Sequence, residues 1–252
     1  MIPRTIHFSW ISGEKYPLLV NRCMRSWKKY APDYEIICWD KNRFDINSLM
    51  FTKEAYQQKK WAFVADVQRL YALYHHGGIY LDSDVELFRP LDSLLNNNAF
   101  IGFEDDQLLS LGVLGSESGH PWIKKLLDYY NDIPFVRDDG SFDTTPNTFI
   151  VTRMTQEDLA LQLVQSEQLL KHRVRVYPRT FFSPKDFKTG RVCISSDTYS
   201  IHHFSSSWMP LDARLFHKYQ RFKHGMKFLM RRAVGTQLVD KLLDHKRRMF
   251  NR

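Results

Sequence analysis

Apolar and polar residues trade places in regular blocks along the first 80 positions. Arg4 to Trp10 sets Ile6 and Phe8 on one side, a period of two that predicts a strand. Pro17 suits the first turn of a helix, and Leu19, Val20, Cys23, Met24 and Trp27 then recur at helical spacing. Pro32-Asp33 breaks that run, and Tyr34 to Trp39 predicts a second strand. After a polar segment, Asp40 to Asn47, a long helical stretch runs from about Lys60 to His76 with Phe63, Val67, Leu70 and Tyr74 as its inward stripe. Gly77-Gly78 closes it, and Ile79-Tyr80-Leu81 has strand character. Strand, helix, strand, helix, strand predicts an α/β fold, a mostly parallel central sheet with helices on both faces.

Beyond the third strand the pattern loosens. Ala99 to Phe103 and Ser110 to Gly115 predict strands, the second rich in small residues. Pro121 to Tyr130 predicts an amphipathic helix, Asp138 to Thr148 a polar loop suited to acceptor binding, and Gln156 to Leu170 another helix. Val174 to Tyr177 and Tyr199 to Phe204 close the series as strands. Between 215 and 250, Leu215, Phe216, Tyr219, Phe222, Met226, Leu229 and Met230 recur at spacings of three and four among Lys218, Arg221, Lys223 and Lys227. The expected organisation is a body over 1–211 and a basic, amphipathic, helical C-terminal extension over 212–252.

Composition sharpens that division. A 252-residue chain with 43% hydrophobic residues can bury one large core. The net charge of +8 belongs to the tail: from Asp212 onward 12 Lys and Arg face 3 Asp and Glu (+9), leaving 24 against 25 (−1) before it. Three cysteines at unrelated spacings predict no disulfide framework and no zinc site, and they suit a reducing compartment. The first residues carry no apolar signal region, and no run approaches the ~20 apolar residues of a membrane span. The expectation is a cytoplasmic protein. Its basic tail either packs its apolar stripe on the body or lies on the inner face of an anionic membrane, at about 1 kcal/mol per basic residue near the lipid. No nucleic-acid module is recognisable, so nucleic acid is not an expected partner.

Three places carry chemistry. Asp82-Ser83-Asp84 puts two carboxylates at the mouth of the third strand, an all-oxygen donor set that Mg2+ or Mn2+ prefers, completed by phosphate oxygens. Asp66 and Arg69 fall beside the inward stripe of the preceding helix, where an unpaired charge would be costly. They form either a structural ion pair or a grip on the hydroxyls of a polar ligand. His202-His203-Phe204-Ser205-Ser206-Ser207-Trp208 offers imidazoles, hydroxyls and an indole N–H, donors suited to a metal and a diphosphate.

Ile2-Pro3 with Ile6-His7 and Trp10, Trp61 to Leu70, Gly77 to Glu86, and His203 with Ser206 and Trp208 together resemble glycosyltransferase family 32. That family includes capsular-polysaccharide sugar transferases and is distantly similar to the glucosylating domain of large clostridial toxins. The resemblance implies a GT-A fold, a UDP- or GDP-sugar donor, Mn2+ or Mg2+, and transfer of a hexose-type sugar with retention to a polysaccharide or lipid-linked glycan. It implies that Trp10 stacks on the donor base, that Asp66 and Arg69 hold the donor sugar, and that Tyr80 belongs with the donor-binding residues. Asp82 would lie near ribose and metal, Asp84 and His203 would bind the metal, and Ser206 and Trp208 would hold the diphosphate. Residues 95 to 195 match loosely; Thr145-Pro146-Asn147 lacks the glycine of the family's Gly-Pro stretch. A non-catalytic carbohydrate-binding protein of the same fold is the alternative, and the metal set of Asp82, Asp84 and His203 speaks against it. A phosphatase with an aspartyl nucleophile would need the acidic motif on its first strand, and here it follows the third.

Overall fold

In the computed structural model, which describes residues 1–187 and 189–205, the elements follow in the order β1 (Thr5–Ser9), α1 (Leu18–Tyr30), β2 (Glu35–Trp39), α2 (Met50–Gln57), α3 (Trp61–His76), β3 (Gly78–Leu81), β4 (Val85–Leu87), β5 (Ala99–Phe103) and β6 (Leu109–Ser116). There follow α4 (Pro121–Asp128), α5 (Asn147–Leu159), β7 (Gln168–Leu169), β8 (Val174–Tyr177), α6 (Arg179–Phe182) and β9 (Ser200–His202). Seven strands make one sheet in the order β2-β1-β3-β6-β5-β8-β7. β1 is parallel to β2 and β3, β5 is parallel to β8, and only β6 and β7 run against their neighbours. Five of the seven strands therefore point one way, as the block pattern predicts.

Alternation along the strands separates two cores. Ile79, Leu81, Phe100 and Val113 face Cys23 and Trp27 of α1 and Phe182 of α6. Tyr80, Ile101 and Leu114 face the other way, against Val64, Val67 and Leu70 of α3 and Trp122 and Ile123 of α4. Central strands covered on both sides must be apolar throughout, and every residue of β3, β5 and β6 is buried. Gly77 and Gly78 hold φ of 66° and 106°, which lets α3 turn directly into β3; a Cβ on Gly78 would stand 2.7 Å from the Thr5 carbonyl oxygen.

His7 fastens this junction. Its Nε2–H donates to the Gly77 carbonyl at 2.8 Å, and its Nδ1 accepts from the Trp39 indole N–H at 3.0 Å. Those two roles require the neutral ring, and burial, only partly offset by the Gly77 bond, lowers its pKa to about 4.

Several elements depart from the expected pattern. The helix expected over Gln156 to Leu170 runs instead from Asn147 to Leu159. Pro146 starts it, and Ala160 at φ 61° ends it in the left-handed region. Gln168 and Leu169 then pair with β8 rather than continuing a helix. α2 fills a segment for which no helix was expected. The last strand does not join the main sheet: β9 pairs antiparallel with β4, as Val85↔His202 and Leu87↔Ser200. α1 anchors this small sheet, with the Trp27 indole N–H donating to the Val85 carbonyl at 2.8 Å and the Leu87 N–H to Ser26 Oγ at 2.9 Å.

All of these elements lie in one compact unit, Met1–Pro184 with Cys193–Trp208. Lys185–Val192 falls in a second unit, where Lys185 bridges Val192 and the Gly190 N–H donates to the Asp186 carbonyl at 2.8 Å. The basic extension expected over 212–252, with its membrane-facing stretch 215–250, lies outside the described residues. Among the described residues no helix is long and apolar enough to cross a membrane.

Candidate donor-sugar and metal site

β3 delivers the acidic pair. The Asp82 N–H donates to the Gly112 carbonyl of β6 at 2.9 Å, the last rung of the ladder. The Val85 N–H then donates back to the Asp82 carbonyl at 2.9 Å, so Asp82 to Val85 is a tight turn between β3 and β4. β1 and β3 pair through His7↔Tyr80, and the chain therefore leaves the sheet at the same edge at Trp10 and at Asp82. Ligands of such sheets lie outside these carboxyl ends.

Arg69 is the hub. Its Nη2 lies 3.1 Å from Asp66 Oδ1 and 3.3 Å from Asp82 Oδ1, its Nη1 donates to the Leu111 carbonyl at 2.8 Å, and its guanidinium sits 4.8 Å over the Tyr80 ring. Asp66 and Arg69 are only 7% and 5% exposed, and the Asp82 side chain is 24% exposed, so two carboxylates share one buried cation at the edge of solvent. Burial pushes the Asp66 carboxyl up to about 7; Arg69 opposes that shift and Asp82 adds to it. Asn147, the first residue of α5, donates its amide N–H to Asp66 Oδ1.

On the other side of the turn, Asp84 is 7% exposed. Its Oδ2 accepts the Ser205 N–H at 2.7 Å, and its Oδ1 lies 3.2 Å from His202 Nε2, which is also 3.8 Å from Asp82 Oδ2. Burial alone would raise the Asp84 pKa, but His202 and the Ser205 N–H hold it well below the usual carboxylate range. Burial would likewise lower His202, and Asp84, followed by Asp82 and Glu104, lifts it to about 9.

The expected site residues thus find definite places. Asp66, Arg69, Asp82 and Asp84 converge. Trp10 stands at the same sheet edge, edge-to-face with Tyr16 at 5.1 Å, its indole N–H bonded to the Glu14 carbonyl at 2.7 Å. It lines a cleft with Gly13, Lys15, Cys38 and Asp40. Tyr80, expected among the donor-binding residues, is 1% exposed and lies beneath the Arg69 guanidinium. His203 turns to Glu86 Oε2, 2.9 Å away, and the imidazole beside the acidic pair belongs to His202. Successive residues at the end of a strand point to opposite sides, so one imidazole of the pair faces the carboxylates and the other turns away. Ser206 and Trp208 lie outside the described residues.

Sequence reasoning missed Gly112, where a Cβ would stand 3.0 Å from His202 Nδ1 and 3.2 Å from Asp82 Oδ2. The small residues of β6 were its only signal. Asn147 was visible only as the end of a partial motif.

Two carboxylates and an imidazole suit a hard divalent cation that shares its shell with phosphate oxygens. The structure supports the fit through His202: its Nε2 lies 3.2 Å from Asp84 Oδ1 and 3.8 Å from Asp82 Oδ2, and its buried Nδ1 has no hydrogen-bond partner among the described residues. Among the described residues no three His, Cys, Asp or Glu groups already form a closed metal cage. Mg2+ and Mn2+ do not need one when a diphosphate supplies the remaining oxygens.

Residues 17–101 match the family model described as the glycosyltransferase sugar-binding region containing a DXD motif, and Asp82-Ser83-Asp84 is the DXD within them. That match places a glycosyltransferase sugar-binding region in the first half of the chain, on a mixed, mostly parallel α/β sheet. It is 32% identical over 130 residues to inositol phosphoceramide mannosyltransferase 3 of Schizosaccharomyces pombe, covering 50% of this chain and 36% of that protein. It is 28% identical over 234 residues to an uncharacterized glycosyltransferase of Acanthamoeba polyphaga mimivirus, covering 83% and 85%. Among solved structures it is similar to the PaToxG glycosyltransferase at 15% identity and a TM-score of 0.46, covering 63% of this chain and 70% of that one. The chain spans little more than a third of the length of the yeast mannosyltransferases it matches.

Proposed function

We propose that this site transfers a hexose-type sugar from a UDP- or GDP-sugar, with Mn2+ or Mg2+ and with retention, to a hydroxyl of a glycan or lipid-linked glycan. The observation that carries the reading is the sharing of Arg69 by Asp66 and Asp82 at the carboxyl edge of the sheet. A partly buried cluster with one carboxylate in excess is costly to fold and is repaid when sugar hydroxyls enter it. In this reading Asp66 and Arg69 hold the sugar, Tyr80 supports Arg69, Trp10 stacks on the base, and Ser206 and Trp208 donate to the diphosphate. Asp82 and Asp84 would hold the cation with an imidazole of the His202-His203 pair; the cation would neutralise charge on the leaving group.

The acceptor oxygen bonds to the anomeric carbon as the bond from that carbon to phosphate breaks. The electron pair leaves on the nucleoside diphosphate, and the acceptor proton ends on a diphosphate oxygen. No carboxylate is placed as a covalent nucleophile in this scheme. The fission-yeast relative is named a mannosyltransferase of inositol phosphoceramide, which supports a hexose donor and a lipid-borne acceptor. The basic stretch 215–250 would bring the body to anionic membrane carrying such acceptors.

The test is a panel of UDP- and GDP-hexoses incubated with the protein, Mn2+ and no acceptor. Release of nucleoside diphosphate, abolished by EDTA, is expected for one of them. Binding of a sugar nucleotide without turnover under any condition would favour the carbohydrate-binding alternative, and neither binding nor turnover would overturn both.

A further inference from the structure

The hairpin joining β5 to β6 carries a carboxylate that the scheme above does not use. Glu104 follows β5 directly and is half-buried. Its N–H is tied to the Leu108 carbonyl at 2.7 Å, and Asp105 caps the turn by accepting from the Gln107 and Leu108 N–H groups at 2.8 Å. The backbone at Glu104 is therefore fixed. Its carboxylate accepts from the Ser110 hydroxyl at 3.3 Å, and it pairs with no lysine or arginine among the described residues.

Ser110 belongs to an irregular stretch. The pairing of β5 with β6 jumps from Ile101↔Leu114 to Gly102↔Ser110, so Leu111, Gly112 and Val113 have no partner on β5. Bulges of this kind re-aim groups beside functional sites. Here Ser110 reaches Glu104, the Leu111 carbonyl holds Arg69, and the Gly112 carbonyl receives the Asp82 N–H. One short run of β6 thus fixes Glu104 in register with Arg69 and Asp82. The Ser110 hydroxyl that donates to Glu104 also accepts the Gly112 N–H at 3.3 Å, and a Cβ on Gly112 would stand 3.0 Å from His202 Nδ1 and 3.2 Å from Asp82 Oδ2, so Glu104 is tied to the segment that adjoins the cluster.

We infer that Glu104 is an acceptor-binding residue of this site, its carboxylate accepting a hydrogen bond from a hydroxyl next to the one that attacks. The ligand class is a ring polyol with vicinal hydroxyls, a pyranoside or a cyclitol. A carboxylate with free lone pairs and one weak neutral donor is suited to such a hydroxyl. The inference rests on the donor reading above and adds a specificity residue to it. Glu104 takes no proton in the transfer; the bond changes and the proton's destination are those given for the proposed reaction.

The experiment separates the two halves. With the donor that the wild type hydrolyses, Glu104→Gln should leave the kcat of hydrolysis and the donor KM within about twofold, because water needs no second hydroxyl. Transfer is then measured to the methyl glycosides of glucose, galactose and mannose and to myo-inositol. Glu104→Gln should raise the KM for the working acceptor by about tenfold or more. An acceptor lacking the neighbouring hydroxyl should show no difference between wild type and variant. A structural role cannot produce that last result. If the glutamine variant does not fold, Glu104→Asp is read in the same way. Equal loss of hydrolysis and transfer, unchanged acceptor KM, or wild-type hydrolysis with transfer to none of the four polyols overturns the inference while leaving the donor reading intact. Absence of hydrolysis in the wild type is the failure of the donor reading itself.

Discussion

His202 Nε2 stands 3.2 Å from Asp84 Oδ1, joining the turn after β3 to the end of β9. The contact exists because β4 and β9 pair through Val85↔His202, which carries the late histidine back to the acidic motif. Asp84→Asn keeps an oxygen that can accept the Ser205 N–H and removes the charge. Donor hydrolysis with Mn2+ should fall by about two orders of magnitude or more, while near-ultraviolet circular dichroism stays native. Undiminished wild-type activity in EDTA would end the metal proposal.

Asp66→Asn tests the buried pair. The substitution preserves shape and removes the excess negative charge around Arg69, so the melting temperature should move little. Turnover should fall about 100-fold if Asp66 holds the donor sugar. A large drop in stability with normal turnover per folded molecule would make the pair structural.

Gly112→Ala places a methyl group against both His202 and Asp82. Turnover should fall about tenfold or more, with about 1–3 kcal/mol lost in stability from overpacking. Gly115→Ala is the control, because its Cβ would stand 2.0 Å from the Phe100 ring and well inside the core. That variant should lose stability and keep the specific activity of whatever remains folded. The same activity loss in both would remove the special role of position 112.

His7 predicts an acid limit to stability. Its pKa is about 4 in the folded protein against 6.5 in an unfolded chain, so the unfolded state takes up its proton first as pH falls. Stability contributed by the neutral ring is complete above pH 6.5 and is lost between about 6.5 and 4, by about 3 kcal/mol in all. Urea unfolding of wild type and His7→Gln at pH 7.5 and 4.5 measures it. The gap between the two proteins should be wide at the higher pH and narrow at the lower; a constant gap would refute the assignment.

For the basic extension the measurement is sedimentation with anionic liposomes. Truncation after Asp212 should release the protein from them and leave metal-dependent hydrolysis largely intact. Continued sedimentation, or loss of folding, would make the extension part of the body.

Much of the candidate site was legible in the residues because its signals are local. Gly77-Gly78, the three apolar residues of β3 and the two aspartates succeed one another within a few positions, and helical spacing alone sets Asp66 and Arg69 beside a buried stripe. A period of two or of 3.6 needs no knowledge of distant partners. The long-range arrangements were hidden for the opposite reason. Alternation of side chains cannot say that β9 leaves the main sheet for β4, and that pairing brings His202, rather than His203, against Asp84. Nor can it say that a bulge in β6 turns the Ser110 hydroxyl and the Leu111 and Gly112 carbonyls toward Glu104, Arg69 and Asp82. The sequence determined which strand carries the carboxylates. Only the tertiary structure decided which groups meet them, because strand partners and bulges are settled by packing among residues far apart in the chain.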